Sequence, residues 1–171
     1  MRKSLGMIIC AVTMLGGSAY AQQVTKVAEH EKWGVYVNEN PRYCYAASRP
    51  EETVNRRGGR VVSVTRGEIL MYVTYRPDQE VKGQVTFTGG YPFDRNRSIK
   101  LDIDGAEHTM YPSGEWAWFE PGKDADMVAQ LKKGGKATVV GTSTRGTETT
   151  DKFSLIGFTA AVEDAAKRCG Q

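Results

Sequence analysis

Few residues in this chain have the type and spacing to do chemistry. Asp102 and Asp104 stand two apart, on one face of a strand, with His108 beyond them, an arrangement that imitates a metal site. Glu107-His108 matches no metal-ligand spacing, and Asp104-Gly105 is the strongest short hairpin signal, because both residues tolerate the positive φ of a two-residue type I′ turn. A turn accounts for Asp104 and a solvent-facing strand position for Asp102, so no metal and no other cofactor is expected. Gly141-Thr142-Ser143-Thr144-Arg145-Gly146 has the wrong spacing for a serine-hydrolase elbow. Neither a phosphate-cradling glycine loop nor a dinucleotide fingerprint occurs. Paired acids for glycoside hydrolysis are defined by separation in space rather than in sequence. A hydrolase therefore stands as the alternative function, and it requires two or more of Asp102, Asp104, Glu107, His108, Glu115 and Glu120 to converge in one concave pocket.

Aromatic and sulfur chemistry is left. Tyr91 and Phe93, at a turn, are the candidate interaction surface, since Tyr and other rings bury large area at low entropy cost; core packing explains them equally well. Trp116 and Trp118 alternate with Ala117 and Phe119, so both faces of their strand are apolar, and core packing is the stronger reading there. Once a leader carrying Cys10 is removed, Cys44 and Cys169 have only each other to pair with and are expected to form a disulfide; the competing reading, a reactive thiol, needs His30 or His108 as its base.

The elements that must position these groups are mostly short apolar or alternating runs separated by Gly, Pro, Asn and Asp, the pattern of an antiparallel all-β domain. Trp33, Val35 and Val37 alternate, as do Tyr43, Tyr45 and Ala47, giving the first two strands. Ile69 to Tyr75 is apolar on both faces and reads as a central strand covered on both sides. Ile99, Leu101 and Ile103 lead into the Asp104-Gly105 turn. Asp124 can cap a helix in which Met127, Val128 and Leu131 fall at helical spacing and which Gly134-Gly135 ends, while Phe158, Ala161, Val162, Ala165 and Cys169 form one apolar stripe on a last helix. Residues 22 to 31 read as a loose N-terminal arm, and Arg56-Arg57-Gly58-Gly59-Arg60 as a solvated loop.

Residues 1 to 21 carry the marks of a secretory signal peptide: Arg2 and Lys3, an apolar stretch from Leu5 to Leu15, and Ala19-Tyr20-Ala21 with cleavage after Ala21. The apolar run is shorter than the roughly 20 residues a bilayer requires, so no transmembrane segment is expected. Cys10 lies in mid-stretch and leaves with the leader. Removing it takes the formal charge from +3 to +1, which argues against nucleic acid as a partner.

Gly89-Gly90-Tyr91-Pro92-Phe93 resembles a landmark of the invasion-associated locus B family of exported bacterial proteins. Cys44-Tyr45-Ala46-Ala47-Ser48, Tyr72-Val73-Thr74-Tyr75-Arg76-Pro77, Gly141-Thr142-Ser143-Thr144-Arg145-Gly146-Thr147, and the ending from Phe153 through Cys169 are similar to its other landmarks, in order. The resemblance implies an immunoglobulin-like antiparallel β-sandwich over residues 32–171, here with one short inserted helix and a C-terminal helix. It also implies a periplasmic or outer-membrane-associated location, no established enzymatic mechanism, and a link to host-cell invasion through the family name. The expected function is an exported, non-catalytic binding module with an envelope or host-surface protein as partner. The alternative is a small periplasmic hydrolase with an acidic site.

Overall fold

The computed structural model describes residues 24–171; the leader reading, with Cys10 and the Ala21 cleavage point, lies outside the described residues. Twelve strands and two α-helices follow along the chain: β1 (Thr25–His30), β2 (Trp33–Glu39), β3 (Arg42–Ser48), β4 (Glu52–Arg57), β5 (Arg60–Val61), β6 (Leu70–Arg76), β7 (Val81–Thr88), β8 (Ile99–Ile103), β9 (Ala106–Ser113), β10 (Trp116–Trp118), α1 (Asp124–Lys133), β11 (Lys136–Thr142), β12 (Glu148–Ser154) and α2 (Phe158–Arg168). All strand pairs are antiparallel, in the order β1-β2-β3-β6-β7-β10-β9-β8-β11-β12-β4-β5. An all-β antiparallel fold with two helices is what the sequence led us to expect.

β9 joins the two halves of this sheet. Ala106 to Met110 pair with β8, while Tyr111 to Ser113 pair with β10, so one strand serves both halves. The halves enclose a common core: Val35, Cys44, Val73 and Phe87 from one side, Leu101, Val139 and Phe153 from the other, all essentially buried. Phe87 meets Phe153 edge to face across it, centroids 6.0 Å apart.

Strand alternation sets each half's inward face, and the helices close what the sheets leave open. The stripe on α2 lands as expected, with Phe158, Ala161, Val162 and Ala165 buried against β2 and β3. Phe158 packs edge-on to Trp33 at 4.9 Å, and the Trp33 indole N–H donates to the Ser154 carbonyl at 3.0 Å. Cys169, just past the helix, is bonded to Cys44 on β3. The Asp104-Gly105 turn forms with positive φ at both residues. Asp104 has a second task, since its carboxylate accepts from the backbone N–H groups of Gly135 and Lys136 and ties the turn to the start of β11.

Three expectations are corrected. The loose arm is β1, paired along β2 with a register irregularity between Lys26 and Ala28; its end is held by His30, whose Nε2 lies 3.1 Å from Asp164 on α2. The basic loop is instead the β4–β5 hairpin, with Gly58-Gly59 as its turn and β4 paired to β12. The third concerns β6 and β10. Each has one covered face only: Met71, Val73, Tyr75 and Ala117 are buried, whereas Leu70, Tyr72, Thr74, Trp116 and Trp118 lie on an outer face against which neither helix packs. Two apolar faces on a strand do not require two covering layers when the outer residues are aromatic and shield one another.

Gly157, ahead of α2, has φ +89, and a Cβ there would collide with the backbone of His30. Backbone strain and the clash act together at a point where α2 and β1 meet. Gly157→Ala is expected to lower the unfolding free energy by more than about 1 kcal/mol, measured as a shift of the urea midpoint at unchanged m-value.

Candidate functional site

The candidate site is the outer face of β2, β3, β6, β7 and β10. Register places Tyr36 opposite Tyr45, Ala47 opposite Tyr72, Tyr72 opposite Thr86, Thr86 opposite Trp118, and Thr88 opposite Trp116. Large rings therefore alternate with small residues across the strands. The rings shield the small residues, so that Ala47, Thr86 and Thr88 are buried although no second layer of the described residues covers them. Gly34 belongs to the same scheme, because a Cβ there would press on the Tyr36 ring at 2.8 Å.

The rings touch in sequence. Tyr36 stacks on Tyr45 at 4.9 Å with planes 11° apart, and Tyr43 on Tyr45 at 6.3 Å. Tyr45 meets Tyr72 at 5.6 Å, Tyr72 meets Trp116 at 5.5 Å, and Trp116 meets Trp118 at 6.3 Å. Trp116 is 39% exposed and the other five are half-buried. Burial pushes the Tyr45 phenol up to about 12, with the neighbouring phenols acting in the same direction. Burial also raises Tyr72, reinforced by Glu68 and opposed by Arg49. Both are therefore uncharged hydroxyls at neutral pH.

At the β2–β3–β6 end the face deepens into an open groove of about 690 Å³, with Tyr36, Tyr45 and Tyr72 among its lining residues. Its cations are each paired, Lys26 with Glu29 at 2.9 Å, Lys32 with Glu51 at 3.1 Å, and Arg49 with Glu68, while the carboxylate of Glu31 also lines the groove and has no ion-pair partner among the described residues.

The residues singled out from sequence lie elsewhere. Phe93 is not available as an interaction surface: it is buried, packed on Phe87 and Tyr91, and bridged through its backbone to Ser143. Tyr91 is half-buried, its hydroxyl 2.6 Å from that of Thr149 and its ring 5.1 Å from the Arg66 guanidinium. Burial pushes the Tyr91 phenol up to about 12, against the opposing effects of Thr149 and Arg66. It lines a cavity of about 280 Å³ together with Arg57, Arg66, Glu115, Ser143 and Thr147. Below it, Arg66 and Asp151 form a buried ion pair with contacts of 2.7 and 2.6 Å, and Arg66 also donates to the Gly89 carbonyl. Gly90 stands so close to Gly67 that a Cβ on it would lie 2.7 Å from that backbone.

The acidic set divides. Asp102 accepts from the Gly105 N–H and Asp104 holds the α1–β11 junction, so both serve the turn. Glu115 lines the Tyr91 cavity. Glu107, His108 and Glu120 share an open groove of about 590 Å³ beside α1, where Glu107 pairs with Lys100 and Glu120 accepts from the Tyr111 hydroxyl. The His108 Nε2 is buried without a hydrogen-bond partner among the described residues. No group of three or more His, Cys, Asp or Glu side chains is placed to hold a metal ion among the described residues.

Sequence reasoning passed over Tyr36, Tyr43, Tyr45 and Tyr72. The signal was present, because each alternates with a small or aliphatic core residue, placing every ring on the same outward side.

The structure can be set beside known proteins. No curated protein matches the chain by sequence. Among solved structures it is similar to the crystal structure of invasion associated protein B from Bartonella henselae, with a TM-score of 0.54 at 18% identity, covering 84% of this chain and 98% of that one. At that identity the likeness speaks for the fold. The model of the invasion associated locus B (IalB) protein family matches residues 38–166, from the end of β2 to within α2. The chain therefore belongs to the invasion associated locus B family.

Proposed function

We propose that this protein is an exported, non-catalytic binding module of the cell envelope, periplasmic or associated with the outer membrane, that meets its partner through the aromatic outer face. The partly exposed ring array of Tyr36, Tyr43, Tyr45, Tyr72, Trp116 and Trp118 carries this reading, because six touching rings on a sheet face that the other described residues leave uncovered are large-area contacts already held in place before binding. The Cys44–Cys169 bond supports an oxidising compartment. We read the doubled sheet as a variant of the immunoglobulin-like sandwich, and a part in host-cell invasion comes to this chain through the family name. The described residues contain no helix long and apolar enough to cross a membrane.

Retention on immobilised envelope extract tests the reading. Wild type is expected to be retained, and the Tyr72→Ala, Trp116→Ala double variant is expected to elute early. Equal retention of the two would remove this face from consideration. Protease added to intact cells separates a surface location from a periplasmic one.

A small periplasmic hydrolase is the second reading, favoured by the groove that holds Glu107, His108 and Glu120. The engagement of both glutamates by Lys100 and Tyr111 counts against it. Wild type and Glu120→Gln are expected to be equally inert on a panel of chromogenic ester and glycoside substrates; turnover abolished by Glu120→Gln would reinstate the enzyme.

A further inference from the structure

We infer that the aromatic groove and the ring track leading from it form a binding site for an uncharged glycan chain. This rests on reading the same face as the binding surface, and adds the class of ligand.

The shape of the track points to a repeating ligand. Tyr45, Tyr72, Trp116 and Trp118 succeed one another at 5.5 to 6.3 Å, steps comparable with the width of one sugar ring, with successive planes inclined by 61°, 45° and 43°, so they form a ridged track that crosses from β3 to β10. A pyranose presents C–H bonds on its faces and hydroxyls around its rim. The negative faces of Tyr and Trp rings attract those C–H groups. A line of rings can therefore seat successive sugars, as aromatic platforms seat successive bases along a single strand.

Charge separates the glycan from the other polymer that stacks on rings. A nucleic acid needs cations free to neutralise phosphates. Here Lys26, Lys32 and Arg49 are each engaged by a glutamate, leaving no unpaired cation among these three groove residues. What the pairs do offer is a wall of closely spaced donors and acceptors, which suits a ligand carrying many hydroxyls and no charge. The Tyr45 and Tyr72 phenols, neutral like any tyrosine at physiological pH, donate and accept in the same way.

Intrinsic tryptophan fluorescence, with Trp116 and Trp118 as reporters, reads binding of defined probes: a β-linked glucose hexasaccharide, a β-linked N-acetylglucosamine hexasaccharide, the matching monosaccharides, a polyuronate of equal length and a short oligothymidylate. At least one neutral hexasaccharide is expected to bind, at least about tenfold tighter than its monosaccharide, with little response to added salt. Tyr72→Ala and Tyr45→Ala, read by calorimetry, should each weaken it about tenfold or more, while Tyr91→Phe, away from the groove, leaves it unchanged. Each variant's far-UV spectrum and urea midpoint establish that it is folded. The inference is overturned if neither neutral hexasaccharide binds, if the polyuronate or oligothymidylate binds tighter and salt-sensitively, or if Tyr72→Ala and Tyr45→Ala are without effect. Envelope extract digested with protease or oxidised with periodate separates the two readings. Retention that survives protease and is lost to periodate supports the glycan. Retention lost to protease alone overturns the glycan and leaves the docking face standing, and wild-type retention no greater than that of the double variant removes both.

Discussion

Replacing Cys44 and Cys169 together by alanine is expected to lower the unfolding free energy by about 4 to 5 kcal/mol and the melting temperature by roughly 10 °C or more. The bond joins residues 125 apart, so in the chain-entropy model it restricts the unfolded chain strongly. Its folded-state position adds to the effect. Both cysteines are buried, and the bond fixes the end of α2 to the inner face of β3, the strand that carries Tyr43 and Tyr45 on its outer face. Equilibrium urea unfolding of the double variant measures the loss, and amide exchange shows whether α2 opens before the sheet. A loss below about 1 kcal/mol would mean that the sheet holds both chain ends unaided. Growth of the wild type under reducing conditions should reproduce the variant's midpoint.

The second large effect lies at Arg66. Its side chain is 6% exposed and that of its partner Asp151 is fully buried, so Arg66→Met strands a carboxylate in the interior and is expected to cost about 3 to 5 kcal/mol at neutral pH. Burial already pushes Asp151 above its ordinary value, with Arg66 pulling the other way, and removing Arg66 lets burial act unopposed. A carboxyl whose folded value lies above its unfolded one binds its proton more tightly in the folded state. The variant is therefore relatively most stable in acid and loses stability as pH rises through the raised value, so its deficit against wild type should shrink on acidification. Stability curves of both proteins from neutral to acid pH check this. Adding Asp151→Leu to Arg66→Met should recover much of the loss, since an apolar pair of similar volume removes the stranded charge. A deficit that is flat with pH would place the cost in lost packing instead.

Arg66 also marks a limit of what can be read from residues in order. It sits in the irregular stretch between β5 and β6, with no periodicity around it, and its partner is 85 positions away on β12. Only the fold brings the two together. Contacts governed by local geometry were legible: the Asp104-Gly105 hairpin, the stripe on α2, and the end of α1 at Gly134 follow from turn chemistry and helical spacing. The capping role expected of Asp124 is not found, because Asp124 is already inside the helix and its carboxylate accepts from the Val85 N–H on β7 at 2.9 Å. The disulfide was legible by elimination. The sidedness of β6 and β10 was not, since period-two alternation assigns residues to faces without saying which face another layer covers. Tyr72 and Trp116 looked like core for that reason, and Phe93, at a turn, read equally well as surface or core. The isolated bridge from Phe93 to Ser143 depends on a pairing between distant segments that no local pattern records.

The sheet's two ends bear on its behaviour among crowded neighbours. A strand edge with free N–H and C=O groups is a template on which another chain can lengthen the sheet. β5 is two residues long, one of them Arg60, and pairs with Arg56 and Arg57, while β1 carries Lys26 and Glu29 and breaks register between Lys26 and Ala28. Each end is thus too short, too charged or too irregular to template a further strand. A sheet that leaves an aromatic face open is kept from lengthening edge to edge when its rims are unattractive to a further strand, and both rims here are of that kind.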